Sequence, residues 1–199
     1  MCNINIPFLQ ETIDWGRLLN VLSYDPKAPM IFSSGLFLWI FTGFMLIYLF
    51  LQKKFTARLV FVIFFSYYFY YKSSGTYFLL LAFITVCDYF IAQAMSRMSV
   101  VWKRKSLVVL SLCINLGMLA YFKYTNFLAD LFASLFGGTF HHYDIFLPVG
   151  ISFFTFQSLS YTIDLYRKEI KPLTSFLDYA FFVSFFPQLV AGPIVRARD

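Results

Sequence analysis

Apolar runs alternate with short basic stretches along most of this chain, and the runs are long enough to be read one by one as membrane segments. Six stand out: residues 31–51, 59–71, 77–94, 106–121, 146–165 and 176–195. The first gives ~31 Å of helix, enough to cross a bilayer core. The second is too short alone, at ~20 Å. It must draw on the chain back to Phe55, with Lys53 and Lys54 snorkelling to the interface. Between the second and third lie Lys72, Ser73, Ser74 and Gly75, a turn-forming stretch. The pattern predicts an all-α, multi-pass integral membrane protein with five to six membrane segments and no internal repeat.

The basic residues supply an orientation. Lys53, Lys54 and Arg58 follow the first run, Arg97, Lys103, Arg104 and Lys105 the third, and Arg167, Lys168 and Lys171 the fifth. The intervening stretches hold only Lys72 and Lys123. That alternation predicts three cytoplasmic basic loops and an N-terminus outside. Residues 1–29 read as an N-terminal extension that includes a candidate interfacial helix, because Phe8, Trp15, Leu18, Leu19 and Leu22 share a face before Pro26 and Pro29. They lack the basic region followed by an apolar core that marks a cleavable signal peptide.

Composition sharpens the membrane reading. Of 199 residues, 60% are hydrophobic, 13% are charged and 28 are Phe. A soluble domain of this size could not hide so much aromatic surface. The net charge of +6 therefore marks membrane orientation, and no nucleic-acid partner is expected. Cys2, Cys87 and Cys113 show no metal-ligand or disulfide spacing, so no metal is expected.

Candidate chemistry concentrates in the last third. In the fifth segment Gly150, Phe153, Gln157, Ser160, Asp164 and Arg167 recur at helical spacing and form a stripe, with Phe154 and Leu165 expected on the lipid side. Polar groups facing lipid are costly, so the stripe should face protein or a wet cavity. It then serves as helix–helix glue, with Asp164 pairing Arg167, or as the lining of a substrate path. In the sixth segment Pro187 and Pro193 each remove a backbone donor, which predicts a broken or re-entrant element carrying Gln188 and Arg196. Asp88, an intramembrane carboxylate, is either functional or held by a structural hydrogen bond. His141 and His142 fall in a polar loop and are expected to be solvated.

Residues 147–167, LPVGISFFTFQSLSYTIDLYR, followed by 185–199, FFPQLVAGPIVRARD, resemble the membrane-bound O-acyltransferase family. The branch most similar is that of bacterial alginate O-acetylation proteins, with the D-alanine exporters of teichoic acid as cousins. The resemblance implies a partial ring of tilted helices around a central funnel, with residues 30–199 forming the N-terminal part of the acyltransferase domain. It implies transfer of an acyl group from a cytoplasmic thioester donor, acetyl-CoA or an acyl carrier protein, to hydroxyls of an exported polysaccharide or envelope polymer. It further implies a bacterial inner-membrane location, exported acetyltransferase-type partner proteins and no bound cofactor.

Motif positions carried over are Pro148, Gly150, Phe156, Gln157, Ser160, Asp164 and Arg167, then Pro187, Gln188, Gly192, Pro193 and Arg196. The family's catalytic histidine is expected beyond residue 199, so no catalytic residue is assigned within this chain, which on its own is expected to be inactive. Three other readings stay open: a transporter or channel subunit, D-alanyl transfer within the same family, and a structural partner in a membrane complex.

Overall fold

A computed structural model describes residues 23–25, 30, 32, 34–136 and 146–192. Those residues are helical, without strands: α1 (Gly35–Phe50), α2 (Phe55–Ser74), α3 (Phe78–Arg97), α4 (Val101–Phe136), α5 (Ile151–Tyr166), α6 (Phe176–Ser184) and α7 (Phe186–Ala191), with one 3-10 turn at Gly75–Tyr77. Successive long helices run antiparallel. Phe37 packs on Phe69 and Phe44 on Phe61, which pairs α1 with α2. Tyr77 meets Phe122 while Asp88 meets Ser111, which pairs α3 with α4. Arg104 reaches the last carbonyls of α5, and Tyr77 stacks on Phe146 just before that helix begins.

The run from Phe55 to Arg97 and helix α4 are each long and apolar enough to cross a membrane. The first is broken at Gly75, whose φ of 62° lies in the left-handed region. Both its outer ends return to α6: Phe55 and Arg58 share a cleft with Asp178 and Phe181, and Tyr89 packs edge-on against Phe176. It is therefore a hairpin, with α6 held between its arms. The turn itself is tied down. Ser73 donates to the Met30 carbonyl (2.8 Å), the Met30 amide to Lys72 O (3.2 Å), and the Val149 amide to Ser74 Oγ (3.1 Å). Lys72 Nζ donates to the Ser23 carbonyl. Apart from 23–25, the proposed extension 1–29 lies outside the described residues.

Several boundaries differ from the sequence reading. The second segment does begin at Phe55, but Lys72–Ser74 continue that helix, and Lys72 is buried. The fourth was expected over 106–121 and instead fills Val101–Phe136. Tyr124, Phe127, Leu128, Leu131, Phe132 and Leu135 sustain an apolar pattern with no proline to stop it, and Lys103–Lys105 lie in the helix's first turns rather than in a loop. The fifth begins at Ile151, five residues late, because Gly150 turns left-handed at φ 76°. A Cβ there would also strike the Leu189 carbonyl.

The largest correction concerns α5. It is buried nearly all round, as the central helix of the bundle. Phe154 and Leu165, expected toward lipid, are fully or almost fully buried, and Phe156 is its one large apolar side chain left exposed. The outward apolar surface belongs to other helices, with Trp39 at 82% and Phe50 at 88% on α1 and Phe136 at 82% on α4.

Candidate functional site

The sixth apolar segment is broken, as its prolines predict. The break falls at Phe185, between α6 and α7. In a continuous helix the Phe182 carbonyl would accept from the Phe186 amide. Here both groups turn to side chains from other helices. Gln157 on α5 donates its amide to Phe182 O at 2.5 Å, and the Phe186 amide donates to Ser66 Oγ on α2 at 3.2 Å. Pro187 has no N–H, so the carbonyl of Val183 also has no helical partner. Interrupted backbone in a buried segment needs partners from elsewhere in the protein, and Gln157 and Ser66 supply them for the Phe182 carbonyl and the Phe186 amide.

Gln157 holds the other side of the break as well, donating to Gln188 Oε1 on α7 at 3.0 Å. Ser160 Oγ donates back to the Gln157 carbonyl (2.8 Å). Gly192 sits against Gln188, where a Cβ would crowd the Cα of that residue at 2.5 Å. Thus Gln157 and Gln188 form a seam between α5 and α7, with Ser160 bonded to Gln157 on the α5 side and Gly192 packed on Gln188 on the other. Around it Phe186 sits among the rings of Phe44, Phe65, Phe69 and Phe37, with centroids 5.1–6.5 Å away. Each such pair adds about 0.5–1.5 kcal/mol beyond buried area.

Asp164 and Arg167 do not join the seam. Asp164 is buried with Oδ2 lacking a partner among the described residues. The expected Asp164–Arg167 pair is absent, because Arg167 lies past the end of α5, exposed, and faces Glu169 at 3.9 Å. Pro193, Arg196, His141 and His142 lie outside the described residues.

Asp88 belongs to a second polar cluster, one that sequence reasoning did not assemble. Its carboxylate accepts from Ser111 Oγ (2.6 Å) and Asn115 Nδ2 (2.7 Å) on α4, and the Ser158 hydroxyl of α5 also interacts with it. Tyr179 OH on α6 donates to Ser158 at 3.3 Å. The cluster ties four helices together at a fully buried point. Ser111 and Asn115, one helical turn apart in an apolar run, were the available signal. Ser66 had none, being one hydroxyl among aromatics.

Chemically, the seam and the cluster hold helices, and neither pairs a nucleophile with a base. Asp88 is occupied by its donors, and Gln157 and Gln188 are amides that orient without moving protons. What they do build is a rigid interruption in a buried segment, of the kind that lines membrane cavities.

Known proteins then place the chain. The "Probable alginate O-acetylase AlgI" of Pseudomonas aeruginosa is 36% identical over 175 residues, covering 85% of this chain and 34% of that protein. The protein of the same name from Azotobacter vinelandii is 35% identical over 175 residues, covering 85% of this chain and 35% of that one. The "Peptidoglycan O-acetyltransferase" of Helicobacter pylori is 34% identical over 138 residues, 57% of this chain and 26% of that protein. The chain thus spans about a third of the length of the alginate O-acetylases it matches. No family model matches, and no solved structure does. With identity running through 85% of its length, the chain belongs to the membrane-bound O-acyltransferase family, alongside its alginate O-acetylases.

Proposed function

We propose that this chain is part of an O-acetyltransferase that moves an acetyl group from a cytoplasmic thioester donor to hydroxyls of an exported polysaccharide or envelope polymer. The observation carrying the proposal is the identity over 85% of the chain to proteins named as alginate O-acetylases. The peptidoglycan O-acetyltransferase match speaks for O-acetyl transfer to an envelope polymer more widely. A transporter or channel subunit is not favoured, since these relatives carry acetyl-transfer names.

In this reading five to six segments cross the bacterial inner membrane. The antiparallel helices gather Arg58, Arg97, Arg104, Arg167 and Lys171 at one end of the bundle, and that end faces the cytoplasm. The N-terminus then lies outside. Acetyl-CoA or an acyl carrier protein is the donor, the acceptor is a polysaccharide, and exported acetyltransferase-type proteins complete the modification. The seam of Gln157 and Gln188 shapes one wall of the substrate path, and the acid–base residue lies outside this chain.

The test is chemical. Disrupting the gene should abolish ester-linked acetate on the cell's exported polymer, and restoring it should return the ester. Unchanged acetate, together with altered uptake or efflux of a small solute, would favour transport instead.

A further inference from the structure

The basic end of the bundle is more than a scatter of charges. The short α3–α4 link and the α5–α6 link enclose a cleft of about 590 Å³ lined by Arg97, Arg104, Lys168 and Lys171, with apolar walls that include Met95 and Leu165. No carboxylate lines it, and none of these four cations has an acidic partner among the described residues. Like charges gathered in a concave site favour an anionic occupant. The volume falls in the range of small-molecule sites.

Two details show that the cleft is built. Arg104 is fixed rather than solvated. Its guanidinium donates to the Leu165 and Tyr166 carbonyls (3.2 and 3.0 Å) and lies over the Tyr166 ring at 5.6 Å. Its Nε–H is buried without a partner among the described residues. Lys168, for its part, occupies the left-handed position that ends α5, at φ 61°. The Glu169 amide bonds Asp164 O and the Lys168 amide bonds Leu165 O, the pattern a glycine would close with less strain. A lysine there contributes a cation to the wall of the cleft.

We propose that this cleft binds a phosphoester anion through Arg97, Arg104, Lys168 and Lys171. Planar guanidinium groups beside ammonium groups suit phosphate oxygens, and the apolar walls accommodate the rest of a molecule that carries one. An anionic phospholipid headgroup and a soluble phosphorylated molecule share this chemistry. The inference does not depend on the acetyl-transfer reading.

The experiment has two arms. Full chain in phosphatidylcholine nanodiscs is titrated with inorganic pyrophosphate by calorimetry. In nanodiscs of mixed phosphatidylcholine and phosphatidylglycerol, retained lipid is identified by native mass spectrometry. The Arg97→Gln/Lys171→Gln variant changes two exposed side chains and leaves the Arg104 contacts to α5 intact. It should lose about tenfold or more in whichever arm binds. The Lys53→Gln/Lys54→Gln variant, at the same end but outside the cleft, should match wild type. Binding of pyrophosphate alone assigns a soluble phosphoester, selective retention of phosphatidylglycerol alone assigns the headgroup, and both together assign the phosphate group itself. Absence of binding in both arms, or equal loss in the two variants, overturns the proposal.

Discussion

Ser66 and Phe186, 120 residues apart in sequence, meet where the backbone of the sixth apolar segment is interrupted. The Ser66 hydroxyl donates to the Val62 carbonyl of its own helix at 2.8 Å while accepting the amide that the break leaves free. Both its capacities are used, so the break is specified from α2 as well as by Pro187. Ser66→Ala should leave a buried amide unsatisfied and cost about 1–3 kcal/mol. Thermal unfolding in detergent measures it. Ser66→Thr should recover most of the loss, and Ser106→Ala, at an exposed site, should have little effect.

Gln157 satisfies the other half of the same interruption. Gln157→Leu removes the bonds to Phe182 and Gln188 and should cost about 1–3 kcal/mol. In the intact enzyme it should lower polymer acetylation more than it lowers the amount of protein in the membrane. Phe156→Leu, at the exposed face of α5, should be tolerated in both measures. Phe154→Ala should not be, because that side chain is wholly buried, and its loss should cost about 3–5 kcal/mol.

These residues show how much was legible in the sequence. Helix order, the extension of the second segment to Phe55 and the break in the sixth followed from hydrophobic runs, snorkelling lysines and proline chemistry. The seam was half legible, since the spacing of Gln157 and Ser160 put them on one face, while the acceptor Gln157 finds at Phe182 is a backbone carbonyl with no side-chain signature. The lipid-facing assignment of Phe154 and Leu165 failed for a physical reason. A central helix surrounded by protein carries the same residues as a lipid-facing one, so apolar periodicity does not separate them. Arg167 caps α5 with helical dihedrals and its amide on the Ile163 carbonyl, but its exposed side chain runs out toward Glu169, and one-turn spacing does not fix which carboxylate a long side chain reaches.

Asp88 and Asn115 should behave as a coupled pair. In a double-mutant cycle, Asp88→Ala and Asn115→Ala should be non-additive by about 0.5–3 kcal/mol, since each removes a direct hydrogen-bond partner of the other in the core. Asp88→Ala combined with Gln157→Leu should be closer to additive, because no hydrogen bond among the described residues joins Asp88 to Gln157. Additivity in the first cycle would mean that the carboxylate is held by Ser111 and Ser158 alone.

Gly150 carries two independent constraints, a left-handed φ of 76° and the Leu189 carbonyl where a Cβ would lie. Gly150→Ala should therefore destabilise by more than ~1 kcal/mol and displace α7 from α5. Gly43→Ala and Gly117→Ala add a methyl with nothing within 4 Å, both inside helices. They should be neutral or stabilising, by up to about 1 kcal/mol. Equal effects at all three positions, read from unfolding midpoints, would remove the special status of Gly150.

The 199 residues alone should not transfer acetyl groups. A hydroxyl attacks a thioester only when a positioned base accepts its proton, and that base must be free to do so. Asp88 spends its oxygens on Ser111 and Asn115. Asp164 is buried on α5, seven residues along the helix from Gln157. Asp178 lines a cleft beside Phe55 and Arg58, away from the seam. Gln157 and Gln188, at the seam itself, are not bases at all. Incubating the purified chain with acetyl-CoA and a soluble polysaccharide should yield no ester above background, whereas a relative-length protein containing this chain should form it. Turnover by the 199 residues that vanishes in the His141→Ala/His142→Ala double variant would place the missing base in the 141–142 stretch and reverse this conclusion.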